Sequence, residues 1–470
     1  MRYGWTKEKN MLYNAVKVGF CPIGKFVFSH EDAKVYKAQL EKKMEAMGLQ
    51  YIGIDSVLCD GIVRGYDDIE PVVQFLKAQE INCLFIPHCN FGTESAAGMI
   101  AKKLGVPTLL WGPRDKAPLE DGTRLRDSLC GMFASSKVLG KLGVPFTYIE
   151  NCDMEDEAFE KGLDRFLRAA NVVKRLKGAK IGIVGNRIDF FWSTIIDESD
   201  LLQKFGIEIL PMDLSKAIRL TKEAAEKHKE KYVAEIAEYA KRIDLSAMPE
   251  KGMINVLALR DVIYRFGTDN NLSAIAIESF MSIIEELGAC VSFAQAEVSD
   301  MGIPCICESD IHGAVSAIIA EAAGLNAAPS FFADITVRHP ENDNGVLLWH
   351  DAFPLSLKAP DAKGHLGSHW ILPDFEPGMC HWRLKEGEIT VVRFDGDNGK
   401  YKLLAENCKT IAGPFTQNTY VWVEFENWGR VEKKVIYGPY IHHVACLYGQ
   451  YSEVLEEACK YINELEFDDR

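Results

Sequence analysis

No stretch of this sequence is apolar for long enough to cross a bilayer. The most hydrophobic segments are broken by charge or glycine within about ten residues, half of what a spanning helix needs. Positive charge is also scarce: 53 Lys and Arg stand against 68 Asp and Glu, a formal net charge of −15. Nucleic-acid backbones are bound by clustered Lys and Arg, so nucleic acid is not an expected partner. The one basic run, Lys174-Arg175-Leu176-Lys177, precedes a strand and reads as a solvated helix end. No two cysteines have CxxC spacing, which removes zinc ribbons and thioredoxin-like motifs. There is no P-loop and no GxSxG elbow, and Gly182 with Gly185 lacks the rest of a dinucleotide fingerprint. The opening MRYGWTKEKNMLYNAVKVGF has early charge but no apolar core followed by a cleavage site, so a cytoplasmic chain is expected.

The thirteen cysteines fit that compartment. They are odd in number, scattered, and often set among apolar residues, as in INCLFIP, VACLYG and IPCICES. Buried, reduced thiols are the expectation. At 470 residues, 47% hydrophobic and 26% charged, the chain is globular and long enough for about three domains.

The first part alternates strand-like segments (AVKVGFCPI, QYIGIDSVL, INCLFIPHCN, VPTLLWGP, VPFTYIE) with helix-like ones (DAKVYKAQLEKKMEAMG, DDIEPVVQFLKAQ). Helices between strands imply βαβ units and a parallel sheet. A second alternating block opens at Gly178 with GAKIGIVGNR, FGIEILPMDL, LSAIAIESF and IPCICES, the last two ending in carboxylates. LTKEAAEKHKEKYVAEIAEYAKRI is the longest helical pattern, rich in helix formers. Past residue 330 helical periodicity nearly vanishes. GEITVVRF, KYKLLAE, NTYVWVEFEN and RVEKKVIYGP read as short strands, with Trp370 and Trp382 as core and SEVLEEACKYINEL as a closing helix. The expected architecture is two doubly wound, Rossmann-like α/β domains (1–177 and 178–330) followed by an antiparallel, β-barrel-like C-terminal domain (331–470).

Two segments carry chemistry. In Cys305-Ile306-Cys307-Glu308-Ser309-Asp310-Ile311-His312-Gly313-Ala314 a strand runs into two carboxylates and then a helix. Ligands of α/β sheets gather at strand carboxyl ends. In extended chain Glu308 and Asp310 point the same way, as a divalent-cation site needs. An Asp310 helix cap beside a surface Glu308 satisfies the same pattern. In GPYIHHVACLYGQY, His442 and His443 close the β-rich region, where one imidazole could be a metal ligand or a structural histidine.

These segments resemble the L-fucose/L-arabinose isomerase superfamily. CESDIHGA is similar to its Cys-Glu-x-Asp-x-x-Gly-Ala segment, whose Asp is a metal ligand, here Asp310. HHVACLYG resembles the segment whose His completes the site, here His443 preceded by His442. RHPENDNGVLLWHDAFP resembles the entry to the C-terminal domain and carries His350, while NFGTE and LLWGPRD resemble first-domain loops facing the active site. The chain departs from the fucose isomerases at Met281-Ser282, where they have Pro-Glu; Glu278 is the nearest carboxylate. It departs from arabinose isomerases too, with Ala333 and Phe353 near the places where their acids are sought.

The resemblance implies aldose–ketose isomerisation through an ene-diol. Its substrates are 6-deoxy sugars, pentoses or 6-sulfonated sugars such as sulfoquinovose. Metal ligands are then drawn from Asp310, His443, Glu278 and Glu308, with Glu278 and Asp310 as catalytic acids. Mn2+ suits an oxygen-rich site with one His, with Mg2+ or Co2+ as substitutes. Asn90, Glu94, Trp111, Arg114, His350 and His442 are expected to bind sugar, with Arg114 and Arg126 available to an anionic tail. The family plan implies a homo-oligomer, plausibly hexameric, whose active site lies between the second and C-terminal domains. The alternatives are an epimerase or C–C lyase on the same scaffold, or a non-catalytic sugar-binding protein.

Overall fold

The computed structural model describes residues 15–369 and 376–470, so Trp370 lies outside the described residues. The chain forms two compact units. One holds the chain up to Lys174 with Glu456–Asn463; the other holds Arg175–Leu455 with Glu464–Arg470. No helix among the described residues is long and apolar enough to cross a membrane. All thirteen cysteines are free thiols, most of them buried, as expected from their apolar neighbours.

The first unit is built on five parallel strands: β1 (Val18–Phe20), β2 (Tyr51–Ile52), β3 (Cys83–Pro87), β4 (Thr108–Trp111) and β5 (Thr147–Tyr148). Their order is β2-β1-β3-β4-β5, so the winding reverses between β1 and β3, where a doubly wound sheet opens its ligand crevice. Helix ends follow local chemistry. Ser29 caps His30–Met47 by accepting from the Asp32 N–H, and Gly48 ends it at φ 80°, a left-handed turn that costs glycine nothing.

The second unit begins with parallel strands β6 (Lys180–Val184), β7 (Glu208–Met212), β8 (Ala274–Ile277) and β9 (Cys305–Ile306), ordered β7-β6-β8-β9. The long helical pattern expected here breaks at His228 into Leu214–Lys227 and Lys229–Tyr239. The remaining strands are β10 (Phe331–His339), β11 (Asn342–His350), β12 (His365–Gly367), β13 (Met379–Arg383), β14 (Glu388–Asp397), β15 (Lys400–Ile411), β16 (Thr419–Phe425), β17 (His443–Tyr448) and β18 (Leu465–Phe467). Six of them pair antiparallel in a ring, β16-β11-β10-β17-β14-β15, and the β15–β16 pairing closes it into a barrel. Trp382 is buried in the same core, as expected.

One expected strand is wrong. RVEKKVIYGP is part of a helix, Trp428–Tyr437. The Asn427 side chain accepts from the Arg430 N–H and starts a helical turn, and Trp428, Val431 and Lys434 then fall on one buried face. The β-branched Val and Ile that suggested a strand fit either period, and the cap decides.

Helix Ile311–Ala323 is buried at every position and packs against β8, β14 and β17, joining the parallel sheet to the barrel. It carries one acid, Glu321, which is 3% exposed. Oε1 of Glu321 accepts from the Ser330 N–H (2.8 Å) and hydroxyl (2.9 Å). Burial pushes its pKa up to about 7, against the pull of those hydrogen bonds. Between the ordinary carboxylate range and pH 7 the unfolded chain ionises while the folded chain stays protonated, so stability falls as pH rises through that window. The loss approaches about 3 kcal/mol. Glu321→Gln keeps the acceptor and cannot ionise. Its melting temperature should match the wild type near pH ~5 and exceed it near pH ~8. A constant difference across that range would remove Glu321 from the account.

Candidate metal centre

Strand β9 stops at Ile306, and the extended chain expected through Glu308 and Asp310 does not form. Cys307–Ser309 make a 3-10 turn in which Glu308 (φ 60°) and Ser309 (φ 55°) are both left-handed. Such a conformation costs a non-glycine residue ~1 kcal/mol or more and persists only where neighbours hold it. Here the Glu308 N–H donates to Ser279 Oγ (3.2 Å), and the Ser309 hydroxyl donates to the Asn186 carbonyl (2.8 Å). The turn splits the two carboxylates: Glu308 goes to one edge of His443, Asp310 to the other.

Asp310 is the N-cap of Ile311–Ala323 and is completely buried. Its Oδ1 accepts from the Gly313 N–H (2.8 Å), and its Oδ2 accepts from Arg393 Nη1 (2.5 Å) and from His443 Nδ1 (2.9 Å). Burial alone would raise its pKa. The Arg393 guanidinium and the His443 imidazole hold it well below the usual carboxylate range. Arg393 is itself fully buried and also pairs with Asp395 (2.7 Å), which in turn meets His312 Nδ1 (2.8 Å). Asp310, expected from the resemblance as metal ligand and catalytic acid, thus has both carboxylate oxygens hydrogen-bonded inside the protein. Its contact with Nδ1 fixes the orientation of the His443 ring.

That orientation turns His443 Nε2 toward a second set of donors. Nε2 lies 3.2 Å from Glu308 Oε2 and 3.6 Å from Asp334 Oδ1. Asp334 Oδ1 is also 3.9 Å from Nε2 of His350 and 3.9 Å from Nε2 of His442. Asp334, His442 and His443 present donor atoms within 4.8 Å of one another, a group able to hold a metal ion. Burial alone would lower the His443 pKa; hydrogen bonds to Asp310 and Glu308 push it up to about 9.

His350 is turned the same way. Its Nδ1 lies 2.7 Å from Asp351 Oδ1, leaving Nε2 toward Asp334. Asp334 Oδ1 and His350 Nε2 are both buried and have no hydrogen-bond partner among the described residues. Cys307, His350 and Asp351 form a second metal-capable group on the other edge of this imidazole. Glu278, at the end of β8, accepts from the Asn186 N–H (2.8 Å), beside the turn that carries Glu308.

The sequence reading missed Arg393 and Asp334. It stopped at Ala333, one residue before the carboxylate. The available signal was an Asp in the apolar strand FFADITV and an Arg in VVRF, charges that have to be paired once both strand faces are buried.

The other expected sugar-binding residues lie in the first unit. Trp111 is corrected to core: it is completely buried, its ring 4.6 Å from that of Phe159 and stacked with Tyr36. Asn90 is 1% exposed and its Oδ1 accepts from the Lys25 and Gly92 N–H groups, which shapes the loop after β3. Glu94 pairs with Lys25 (3.1 Å). Arg114 is exposed and lines a cavity of about 750 Å3 with Arg126, and Arg126 sits between Asp32 (3.5 Å) and Asp115 (3.4 Å).

Comparison with known proteins follows the same lines. Residues 19–177 match the N-terminal domain model of fucose/sulfoquinovose isomerases. A sulfoquinovose isomerase of Priestia aryabhattai is 26% identical over 451 residues, covering 94% of this chain and 97% of that one. Another, from Clostridium sp. (strain MSTE9), is 26% identical over 358 residues, 75% of this chain and 76% of its own. The first domain is thus similar to that of the fucose/sulfoquinovose isomerases, and most of the chain is similar to sulfoquinovose isomerases. That similarity and the two donor groups together support a metal-dependent, sugar-isomerase type of function.

Proposed function

We propose that this chain is a divalent-metal-dependent aldose–ketose isomerase, its cation held by Asp334, Glu308, His443 and His350 Nε2, with His442 walling the site. The observation that carries this reading is a pair of buried atoms, Asp334 Oδ1 and His350 Nε2, that lack a hydrogen-bond partner among the described residues. A buried polar atom without a partner costs about 1–3 kcal/mol, and a cation between carboxylate and imidazole relieves both. Carboxylate oxygens with imidazole suit Mn2+, with Mg2+ or Co2+ as substitutes. The bound ion supplies Lewis-acid polarisation of a sugar carbonyl and neutralises charge on the neighbouring oxygen.

The chain's own residues prepare that step. Arg393 keeps Asp310 ionised; Asp310 holds a proton on His443 Nδ1, so that a cation displacing the Nε2 hydrogen would meet a lone pair already aimed at Glu308 and Asp334. In this reading Glu278 moves the proton between the two sugar carbons. Its support is its place at the carboxyl end of β8, next to Ser279, whose hydroxyl receives the Glu308 N–H.

The substrate in this reading is a monosaccharide, and a 6-sulfonated sugar comes first because the relatives matched along most of the chain are sulfoquinovose isomerases. The test is a panel of sulfoquinovose, L-fucose and pentoses with Mn2+, scored for ketose. Conversion of at least one sugar, abolished by chelation, is expected. An epimer or a shortened sugar as product would replace isomerase with epimerase or lyase. No turnover together with no bound metal would sink the enzyme reading.

A further inference from the structure

His350 stands between two donor groups of different chemistry. Its Nε2 faces Asp334, in a group of oxygens and imidazoles. Its Nδ1 faces Asp351 at 2.7 Å, and the Cys307 thiol lies 3.6 Å from that same Asp351 oxygen. The donor atoms of Cys307, His350 and Asp351 all fall within 4.8 Å of one another, so one ion can reach all of them. Cys307 is 2% exposed and His350 4%, so the pocket is close to dry.

We propose that Cys307, His350 and Asp351 form a second cation site, selective for thiophilic divalent ions of the Zn2+ class, that competes for His350 with the oxygen-rich site. Sulfur, imidazole nitrogen and one carboxylate are the donors Zn2+ takes in sites with three protein ligands and an open fourth position, whereas Mn2+ and Mg2+ favour oxygen. Loading the site displaces the Cys307 proton to solvent and leaves a thiolate on the ion, so no redox partner is required. It also changes His350. A neutral imidazole metallated at Nδ1 carries its hydrogen on Nε2. That N–H then points at Asp334 as a donor, and the lone pair that faced the oxygen-rich group is gone. Zn2+ bound here would thus oppose a hard cation bound there, through a single ring.

The proposal is independent of which sugar the protein acts on, and its test needs no substrate. Chelator-treated full-length protein is titrated with Co2+ as a spectroscopic stand-in for Zn2+. A thiolate-to-cobalt charge-transfer band should grow to one equivalent and collapse on adding Zn2+. It should be lost in Cys307→Ser, weakened in Asp351→Asn and retained in Asp334→Asn, with far-ultraviolet circular dichroism unchanged in all. Should Cys307→Ser not fold, the contrast between Asp351→Asn and Asp334→Asn decides alone. Absence of the band in the wild type, or its survival in Cys307→Ser through one of the other thiols, would overturn the assignment. Mn2+ affinity measured separately in Asp334→Asn reports on the oxygen-rich site, so failure of one site is not mistaken for failure of the other.

Discussion

Replacing Arg393 with Met is expected to destabilise the second unit by about 3–5 kcal/mol, the cost of stranding a buried charge. The size follows from what the guanidinium holds. It is fully buried and is shared between Asp310 (2.5 Å) and Asp395 (2.7 Å), both nearly or wholly inaccessible. Met fills the volume but leaves two carboxylates without their cation in a low-dielectric interior. Asp310 could then shed its charge only by protonating, which removes the acceptor that fixes His443. Urea denaturation measures the loss. The informative companion is Arg393→Met with Asp310→Asn, which removes one stranded charge and should recover part of the stability. A single variant with a wild-type midpoint would mean that water reaches Asp310, contrary to the packing described.

The second large effect separates Asp334 from Asp310. If Asp334 is a direct donor and Asp310 acts through His443, Asp334→Asn should nearly abolish Mn2+ binding. Asp310→Asn should weaken it by roughly 10–100-fold, the usual price of losing the group that orients a ligating histidine. The Asn amide can still accept the Gly313 N–H, so the helix cap survives and the second variant should remain folded. Mn2+ binding followed by electron paramagnetic resonance gives both affinities. The reverse ranking, with Asp310→Asn the more damaging, would restore Asp310 as the ligand and displace Asp334 from the site.

The legible part of this site was its chain-local part. Cys305–Ala314 and Gly438–Tyr451 announce themselves because strand end, carboxylate, glycine and helix, or paired histidines before a buried strand, lie within fourteen residues or fewer. The illegible part is pairing across distance. Arg393 meets Asp310 across 83 positions and His443 meets Asp310 across 133. In VVRF an arginine reads as the solvent-facing member of an alternating strand, and only the burial of β14 by helix Ile311–Ala323 on top of barrel closure shows otherwise. The turn at Glu308 was equally hidden, since neither Glu308 nor Ser309 belongs to a residue type that favours left-handed backbone. The alternation of elements that implied two parallel sheets and a barrel was plain, because periodicity is a local signal. Trp111 shows the limit: a strand-end tryptophan looks the same whether it faces a cleft or Phe159.

Barrel closure has a consequence for how the centre is inherited. Asp334 stands directly opposite His443 in the β10–β17 pairing, and His443 opens β17. A strand inside a closed ring has no free edge along which to slide, so the spacing of these two donors is written in hydrogen-bond register rather than in side-chain fit. Loops around the ring can lengthen, shorten and exchange their polar residues without moving the pair. A one-residue deletion within β10 would turn Asp334 to the opposite face and erase the centre at a stroke. Such a scaffold lets the loops that meet a ligand change while the spacing of this donor pair stays locked in the ladder.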